Sequence, residues 1–291
     1  MPELPEVETI KTGLQKRIIG LKLTKIQVNA PKSFIGVSNK VQGQKVLNIW
    51  RRAKILGIDM TGDITLLFHL KMSGQLVWKG ESGKGKGERF IGGHPTPDMV
   101  GKMPSSHTRV IFSFSDGSHL YFNDQRRFGW VRVVNSDQVT EDSSLKRLGP
   151  EPLEKEFSWQ MLKQNLLRHK SMPVKVAIMD QTVVSGIGNI YANEACFDAK
   201  VDPRTKVSQL TDKQFKVLYK GITKSLKDGI KYGGSSRAHF VDAEGNKGYF
   251  LDYAFVYGKD KDKCKKCGSQ IKKIKLGGRG TYLCPNCQKT V

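Results

Sequence analysis

The chain contains no run approaching the ~18 uninterrupted apolar residues that a membrane-crossing helix needs. Its amino terminus lacks the basic-then-apolar order of a secretory signal and carries Glu3, Glu6 and Glu8 instead. Both absences predict a cytoplasmic protein in a reducing compartment. There, five cysteines with paired spacing point to metal more readily than to disulfides. Acidic residues are scarce: 27 Asp and Glu stand against 49 Lys and Arg, for a formal net charge of +22 at pH 7. The imbalance favours a polyanionic partner, nucleic acid first and an anionic membrane second, with a merely solvated basic surface as the alternative. No P-loop is present, and the Gly- and Lys-rich stretch from Lys79 to Glu88 does not sit between a strand and a helix. There is no internal repeat.

What is there falls into segments, and 291 residues suffice for about two domains with real cores. Residues 5–19 read as an amphipathic helix. Pro5 suits its first turn, Glu6 and Glu8 its positive end, and Val7, Ile10, Leu14 and Ile18 share a face before Gly20 stops it. From Leu21 to about Val134 the pattern is one of short β-rich runs, 46–50, 55–59 and 64–68 among them. A hairpin joins 110–114 to 119–122 about Asp116-Gly117. Many short strands with turns between them predict a sandwich or barrel-like domain. The Gly-, Lys- and Pro-rich stretch 79–104 reads as a mobile loop. Residues 148–153 mark a boundary, and 158–232 is helical. There Thr211 and Gln214 form a capping box, Phe215, Leu218, Ile222 and Leu226 repeat at helical spacing, and Gly233-Gly234 terminates.

Four constellations carry chemistry. Cys264-x2-Cys267-x16-Cys284-x2-Cys287 fits a closed tetrahedral zinc site with no open position. Nine lysines and Arg279 against Asp260 and Asp262 give the segment 259–291 a net charge of +8, with Lys272, Lys273, Lys275 and Arg279 between the knuckles. Such a finger could grip phosphate; Cys196, standing apart, reads as a core thiol. Ser185-Gly-Ile-Gly-Asn189 is a tight turn before a helix, and serves either to bring backbone amides to a phosphate or simply to join two helices. Arg126-Arg127-Phe128-Gly129 is either a phosphate grip with a base wedge or an exposed arginine pair beside a core phenylalanine. Pro2 is either an ordinary helix entry or, once Met1 is removed, a secondary amine able to form an iminium with a sugar carbon. A terminal amine titrates near 8 against about 10.4 for lysine, so more of it is nucleophilic at neutral pH.

In combination these motifs resemble bacterial formamidopyrimidine-DNA glycosylases over nearly the whole chain, and in that family's order. The matches are Met1-Pro-Glu-Leu-Pro-Glu-Val-Glu-Thr9, Arg51-Arg-Ala-Lys54, His69 with Met72-Ser-Gly74, Arg126-Arg-Phe-Gly129, Leu148-Gly-Pro-Glu-Pro152, Asp180-Gln181 and Gly186-Ile-Gly-Asn-Ile-Tyr-Ala192. Gly233-Gly234, Gly248-Tyr-Phe250, Val256-Tyr-Gly258 and the cysteine knuckles complete the series. The resemblance implies an α+β multidomain protein. Its parts are a two-layer β-sandwich with flanking helices over 1–134, a linker over 135–150 and a helix-two-turn-helix domain over 151–234. A lesion-recognition loop and connector over 235–257 and a β-hairpin zinc finger over 258–291 follow, with DNA in the cleft. It implies a bifunctional glycosylase and abasic-site lyase acting as a monomer on duplex DNA with oxidised purines or abasic sites. One structural zinc and no redox or organic cofactor are expected.

The resemblance also implies residue roles. Pro2 is the nucleophile at C1′, Glu3 the acid that opens the deoxyribose, Glu6 its support and Lys54 the active-site lysine; Arg279 joins the catalytic set. Met72, Arg126 and Phe128 fill the gap left by the flipped base. His69, His107, Arg127, Lys175, Asn189 and Arg279 hold DNA. Three departures stand out: Lys71 before the methionine, Asn193 at a commonly acidic position, and the length of 79–104. Two other functions share much of this pattern, an endonuclease VIII-type enzyme for oxidised pyrimidines and a non-catalytic zinc-ribbon DNA-binding protein. Leu4 departs from the usual start of the former, and intact Pro2, Glu3 and Lys54 argue against the latter.

Overall fold

The computed structural model describes residues 1–81, 89–93, 101–235 and 250–289. The chain divides into two compact units, Met1–Lys146 and Arg147–Ser235 with Tyr249–Val291.

The first unit opens with α1 (Leu4–Ile18), whose Val7, Ile10, Leu14 and Ile18 are all buried. Then come β1 (Leu23–Val28), β2 (Phe34–Ile35), the single turn α2 (Ser38–Val41), β3 (Val46–Arg52), β4 (Ile55–Met60) and β5 (Ile64–His69). They continue with β6 (Gly74–Lys79), β7 (Arg89–Gly93), β8 (Thr108–Phe114), β9 (His119–Asp124) and β10 (Trp130–Asn135). Two five-stranded sheets form, ordered β1-β8-β9-β6-β7 and β2-β10-β5-β4-β3. All neighbours are antiparallel except β2 and β10. Alternate side chains of both sheets meet in one core, where the Phe68 ring lies 5.6 Å from Phe112 and 6.5 Å from Phe122. The register fixes what the sandwich offers at one end. Ile55 and Trp130 both pair with His69, and Gly74 pairs with Asp124, so the β3–β4, β5–β6 and β9–β10 turns converge there.

The stretch 79–104 is not a loop throughout, because Arg89–Gly93 pairs with β6. Residues 82–88 and 94–100, and with them most of the expected mobile insertion, lie outside the described residues. A run of five residues ending in two glycines carries little strand signal, so the pairing is imposed from outside. Its source is α1. A Cβ on Gly13 would stand 2.2 Å from the Phe90 ring, and one on Gly92 would stand 2.3 Å from Ile10. The glycines are what let helix and strand touch.

The second unit contains α3 (Trp159–Leu166), the single turn α4 (Val174–Ala177), α5 (Asn189–Asp198), α6 (Asp212–Lys231), the single turn α7 (Phe250–Tyr253) and the hairpin β11 (Lys272–Leu276) and β12 (Arg279–Leu283). Ser158 caps α3, and Thr211 with Gln214 closes the capping box of α6. Helices α5 and α6 run antiparallel at contact distance. A Cβ on Gly221 would stand 2.5 Å from the Ala195 carbonyl oxygen, and one on Gly229 would stand 2.5 Å from the Tyr191 ring. Glu194 accepts hydrogen bonds from the amides of Phe255, Val256 and Tyr257 at 2.8 to 3.0 Å, which fastens the connector to α5. Burial raises its pKa, against the lowering effect of those three donors. The expected lesion-recognition loop lies outside the described residues, except for Ser235 and the segment from Phe250 onward.

Candidate functional site

In the first unit the chemistry gathers at the start of α1 and at the converging turns. Pro2 is buried, as are Glu3 (3% exposed) and Glu6 (2%). Glu3 is the N-cap, and its amide donates to Glu6 Oε2 at 2.8 Å within a capping box. That contact fixes the backbone one residue after Pro2. One turn later Glu8 accepts from Arg51 Nε at 2.8 Å, while Arg51 Nη1 donates to the Ala53 carbonyl at 3.3 Å. Burial alone would raise the Glu8 pKa, but Lys11 and Arg51 outweigh it and hold the carboxyl below its ordinary value. Ala53 has φ +53°, a left-handed conformation that an alanine adopts at a cost, and it presents the nearly buried Lys54 (6% exposed). The bridge Glu8–Arg51–Ala53 therefore ties the lysine turn to α1, which starts two residues after Pro2.

His69 ends β5 beside this turn. Burial, then the charges of Lys71 and Lys54, push its pKa down to about 3, so the ring is neutral at pH 7. Its Nδ1 accepts from the Lys71 amide at 3.1 Å, which leaves the proton on Nε2. His69 thus presents a neutral ring whose Nε2 carries a proton to donate. Lys71 also has a left-handed backbone (φ +50°), as does Arg127 (φ +57°), so the turns that carry Met72 and Phe128 both hold an uncommon conformation.

Arg126, Arg127 and Phe128 are exposed, with Phe128 at 56%, and the Arg126 guanidinium lies 5.0 Å from the Phe128 ring centroid. A phenylalanine left in water forgoes roughly 1.5–3 kcal/mol of burial. Phe128 is therefore not the core residue of the bland alternative. Asp124 organises this loop, and sequence reasoning missed it. Fully buried, it accepts from Ser73 Oγ and from the amides of Arg126 at 3.2 Å and Gly129 at 2.6 Å. Ser73 Oγ also accepts from the Arg126 amide at 3.0 Å. Because Ser73 follows Met72, one carboxylate joins the half-buried methionine to the Arg126–Phe128 loop. His107 belongs to the same cluster through its carbonyl, which accepts from the Asp124 amide at 3.0 Å. The only sequence signal for Asp124 was its position at the end of a strand just before the paired arginines.

The second unit carries the other candidates. The Gly186 turn (φ +84°) is built around Gln181, whose side chain accepts from the Gly186 amide at 3.0 Å and donates to the carbonyls of Met179 and Ile187 at 2.8 Å. Asn189 then begins α5, at the end of the helix that favours anions. Its side chain is turned inward: Oδ1 accepts from Lys175 Nζ, and Nδ2 donates to the Gly280 carbonyl at 3.1 Å. Lys175 itself is fully buried, and its ammonium also reaches Thr281 Oγ1 at 3.2 Å. Expected as a DNA ligand, it is enclosed here between Asn189 and Thr281. Arg279 is exposed at the tip of the finger hairpin, one residue from the carbonyl that Asn189 grips. Asn193, the departure noted above, bonds both ways. It donates to the Asn189 carbonyl at 2.6 Å and accepts from the Tyr282 amide at 2.7 Å, docking β12 on α5.

The four cysteine sulfurs lie within 4.8 Å of one another, with Cys264 and Cys287 3.9 Å apart and Cys267 and Cys284 3.4 Å apart. Zn–S bonds of about 2.3 Å in a tetrahedron require sulfurs roughly 3.8 Å apart, so the set fits zinc and leaves no open position. Cys196 is fully buried, and burial pushes its thiol up to about 12, as expected of an inert core cysteine.

No helix among the described residues is long and apolar enough to cross a membrane. The family model for the formamidopyrimidine-DNA glycosylase N-terminal domain matches residues 1–131, that for the formamidopyrimidine-DNA glycosylase H2TH domain matches 148–241, and that for the zinc finger found in FPG and IleRS matches 261–290. The formamidopyrimidine-DNA glycosylases of Pelotomaculum thermopropionicum and Listeria monocytogenes are each 36% identical over 294 residues, covering 99% of this chain and 99% and 100% of theirs. Among solved structures, a Lactococcus lactis FPG mutant with Fapy-dG containing DNA aligns with a TM-score of 0.86 at 32% identity. The same organism's Fpg with abasic site containing DNA aligns with a TM-score of 0.85 at 32% identity. Both alignments cover 99% of this chain and 100% of the other.

Proposed function

The chain belongs to the formamidopyrimidine-DNA glycosylase family, and we propose that it excises oxidised purines, 8-oxoguanine and formamidopyrimidines, through a Schiff base on Pro2. It is a DNA glycosylase and abasic-site lyase with a structural zinc, acting on damaged duplex DNA.

With Met1 removed, the Pro2 nitrogen attacks C1′, and the glycosidic bond breaks with its electron pair leaving on the base. Glu3 protonates O4′ as the sugar ring opens, which leaves the C1′ iminium. The iminium acidifies C2′. Loss of that proton expels the 3′ phosphate by β-elimination, and δ-elimination then expels the 5′ phosphate. Glu6 orients Glu3, and Lys54 and the Nε2 proton of His69 hold the adjacent phosphates. Extruding the damaged nucleotide costs a few kcal/mol of stacking and pairing, and Met72, Arg126 and Phe128 offset that cost by filling the gap. Asn189, through its backbone amide, and Arg279 take phosphates on the second unit.

The observation that carries this reading is the buried start of α1, where Pro2, Glu3 and Glu6 stand together and Glu8 and Arg51 tether the Lys54 turn. Borohydride trapping on an abasic duplex tests it. Processed protein should form a covalent adduct, protein that retains Met1 should form none, and trapping of the Met1-retained form would refute the Pro2 assignment. A Lactococcus lactis Fpg has been solved with an oxidized pyrimidine containing DNA. That gives a specific reason to set thymine glycol beside 8-oxoguanine opposite cytosine, with faster excision of the purine expected. We place the enzyme in the bacterial cytoplasm, working as a monomer.

A further inference from the structure

Helix α6 carries Lys213, Lys216, Lys220, Lys224, Lys227 and Lys231 at spacings of three or four residues, and all six are exposed. They form one stripe along the 20-residue helix, about 27 Å from first to last at 1.5 Å per residue. The opposite face, with Phe215, Leu218, Ile222 and Leu226, is buried. None of the six belongs to the site described above.

A helix face selected only for solubility would alternate signs, because lysines three or four apart repel and weaken the helix. Here the consecutive lysines make a series of like-charge neighbours with little relief. Lys224 is held by Asp198 at 3.1 Å and Asp228 at 2.8 Å, and Asp212 is engaged by Lys163. Among the described residues no carboxylate pairs with the other five. Two of these ammonium groups are steadied over aromatic rings, Lys216 at 4.7 Å from Trp159 and Lys231 at 5.4 Å from Tyr232. Because Gly229 abuts Tyr191 near the start of α5, the Lys227–Lys231 end of the stripe is the end nearer the phosphate turn. From there the stripe runs back toward Lys213 along the helix.

We propose that the α6 stripe is a second duplex-binding surface, which holds an undamaged DNA segment by its phosphates while the lesion site is occupied. A rigid row about 27 Å long matches roughly eight phosphate steps of one strand at 3.4 Å each. An anionic membrane fits less well. A helix that lies in a bilayer surface must have its apolar face free, and that of α6 is buried inside the unit.

The test uses the full-length zinc protein with a short abasic-analogue duplex filling the lesion site, and a second, labelled, undamaged duplex titrated at low salt. Wild type should form a ternary complex. Replacing Lys213, Lys216, Lys220, Lys227 and Lys231 with Gln should abolish it, and should lower the salt slope of binding to the second duplex by about four. Single-turnover excision from the short duplex should be unchanged. Gln is about as good a helix former as Lys and relieves the repulsion, so the thermal midpoint should not fall. The double variant Lys220→Glu with Lys227→Glu should weaken the ternary complex at least tenfold. A ternary complex that survives both variants, or is absent from wild type, overturns the proposal. So does a parallel loss of excision, which would make the stripe part of the lesion footprint. Tighter binding to phosphatidylglycerol vesicles than to duplex would assign it to a membrane instead.

Discussion

Asp124 is a buried carboxylate that directs both oxygens into the loop that follows it, and its importance lies in what it joins. Its bonds to Ser73 Oγ and to the amides of Arg126 and Gly129 set the distance between Met72 and Phe128 before any DNA arrives. Asp124→Asn keeps the size and loses a charged acceptor, so stability should drop by about 2 kcal/mol in denaturant unfolding. Excision of 8-oxoguanine should fall by an order of magnitude more than cleavage of a preformed abasic site, where less stacking must be replaced. Phe128→Ala separates the two effects. As the side chain is already exposed, stability should hold within about 0.5 kcal/mol while excision falls. His69 makes a prediction in pH. Its folded pKa of about 3 lies below the unfolded value near 6.5, so between those limits the unfolded chain binds a proton that the folded chain does not. Stability should therefore fall as pH drops through that window, and His69→Gln should flatten the acid limb of a stability-versus-pH curve.

At the scale of elements, α1 and β7 depend on each other. Gly13 lies in mid-helix, where alanine would ordinarily gain up to about 1 kcal/mol. Here the added methyl meets the ring of Phe90, itself fully buried and unable to swing away. Gly13→Ala should destabilise by roughly 1–3 kcal/mol, the reverse of the propensity rule, as read by urea unfolding. The same contact explains why some of the fold was legible in the sequence and some was not. Helix α1, the β3–β5 run, the β8–β9 hairpin and α6 each show their period or turn within a dozen residues, and each stands where the pattern put it. Strand β7 has no such local pattern, since its partners are β6 and a helix some eighty residues earlier. In the site, the cysteines and the Pro-Glu start were visible as spacing and order. Asp124 and the inward turn of Lys175 were not, because burial and the destination of a hydrogen bond are properties of the folded chain.

At the scale of the whole molecule, the finger is built into the second unit. Cys264 and Cys284 pack with Phe197, Val256 and Ile271, and β12 supplies partners to Asn189, Asn193 and Lys175. Stripping zinc with a strong chelator should therefore abolish DNA binding and disturb the α5 turn. The near-UV signals of Trp50, Trp78 and Trp130, all in the sandwich unit, should persist.

The buried ammonium of Lys175 sets an order of events in synthesis. It rests against Asn189 on one side and against Thr281, 106 residues further along the chain, on the other. A growing chain has Pro2, the sandwich and the helices out of the ribosome before Thr281 emerges. Until then Lys175 lacks Thr281 and Asn189 lacks the Gly280 carbonyl, so the seat proposed for a phosphate is unfinished. On the proposed roles, an interrupted chain would carry the Pro2 amine without the phosphate contacts of Asn189 and Arg279. The last strand to be made is the one that locks the start of α5.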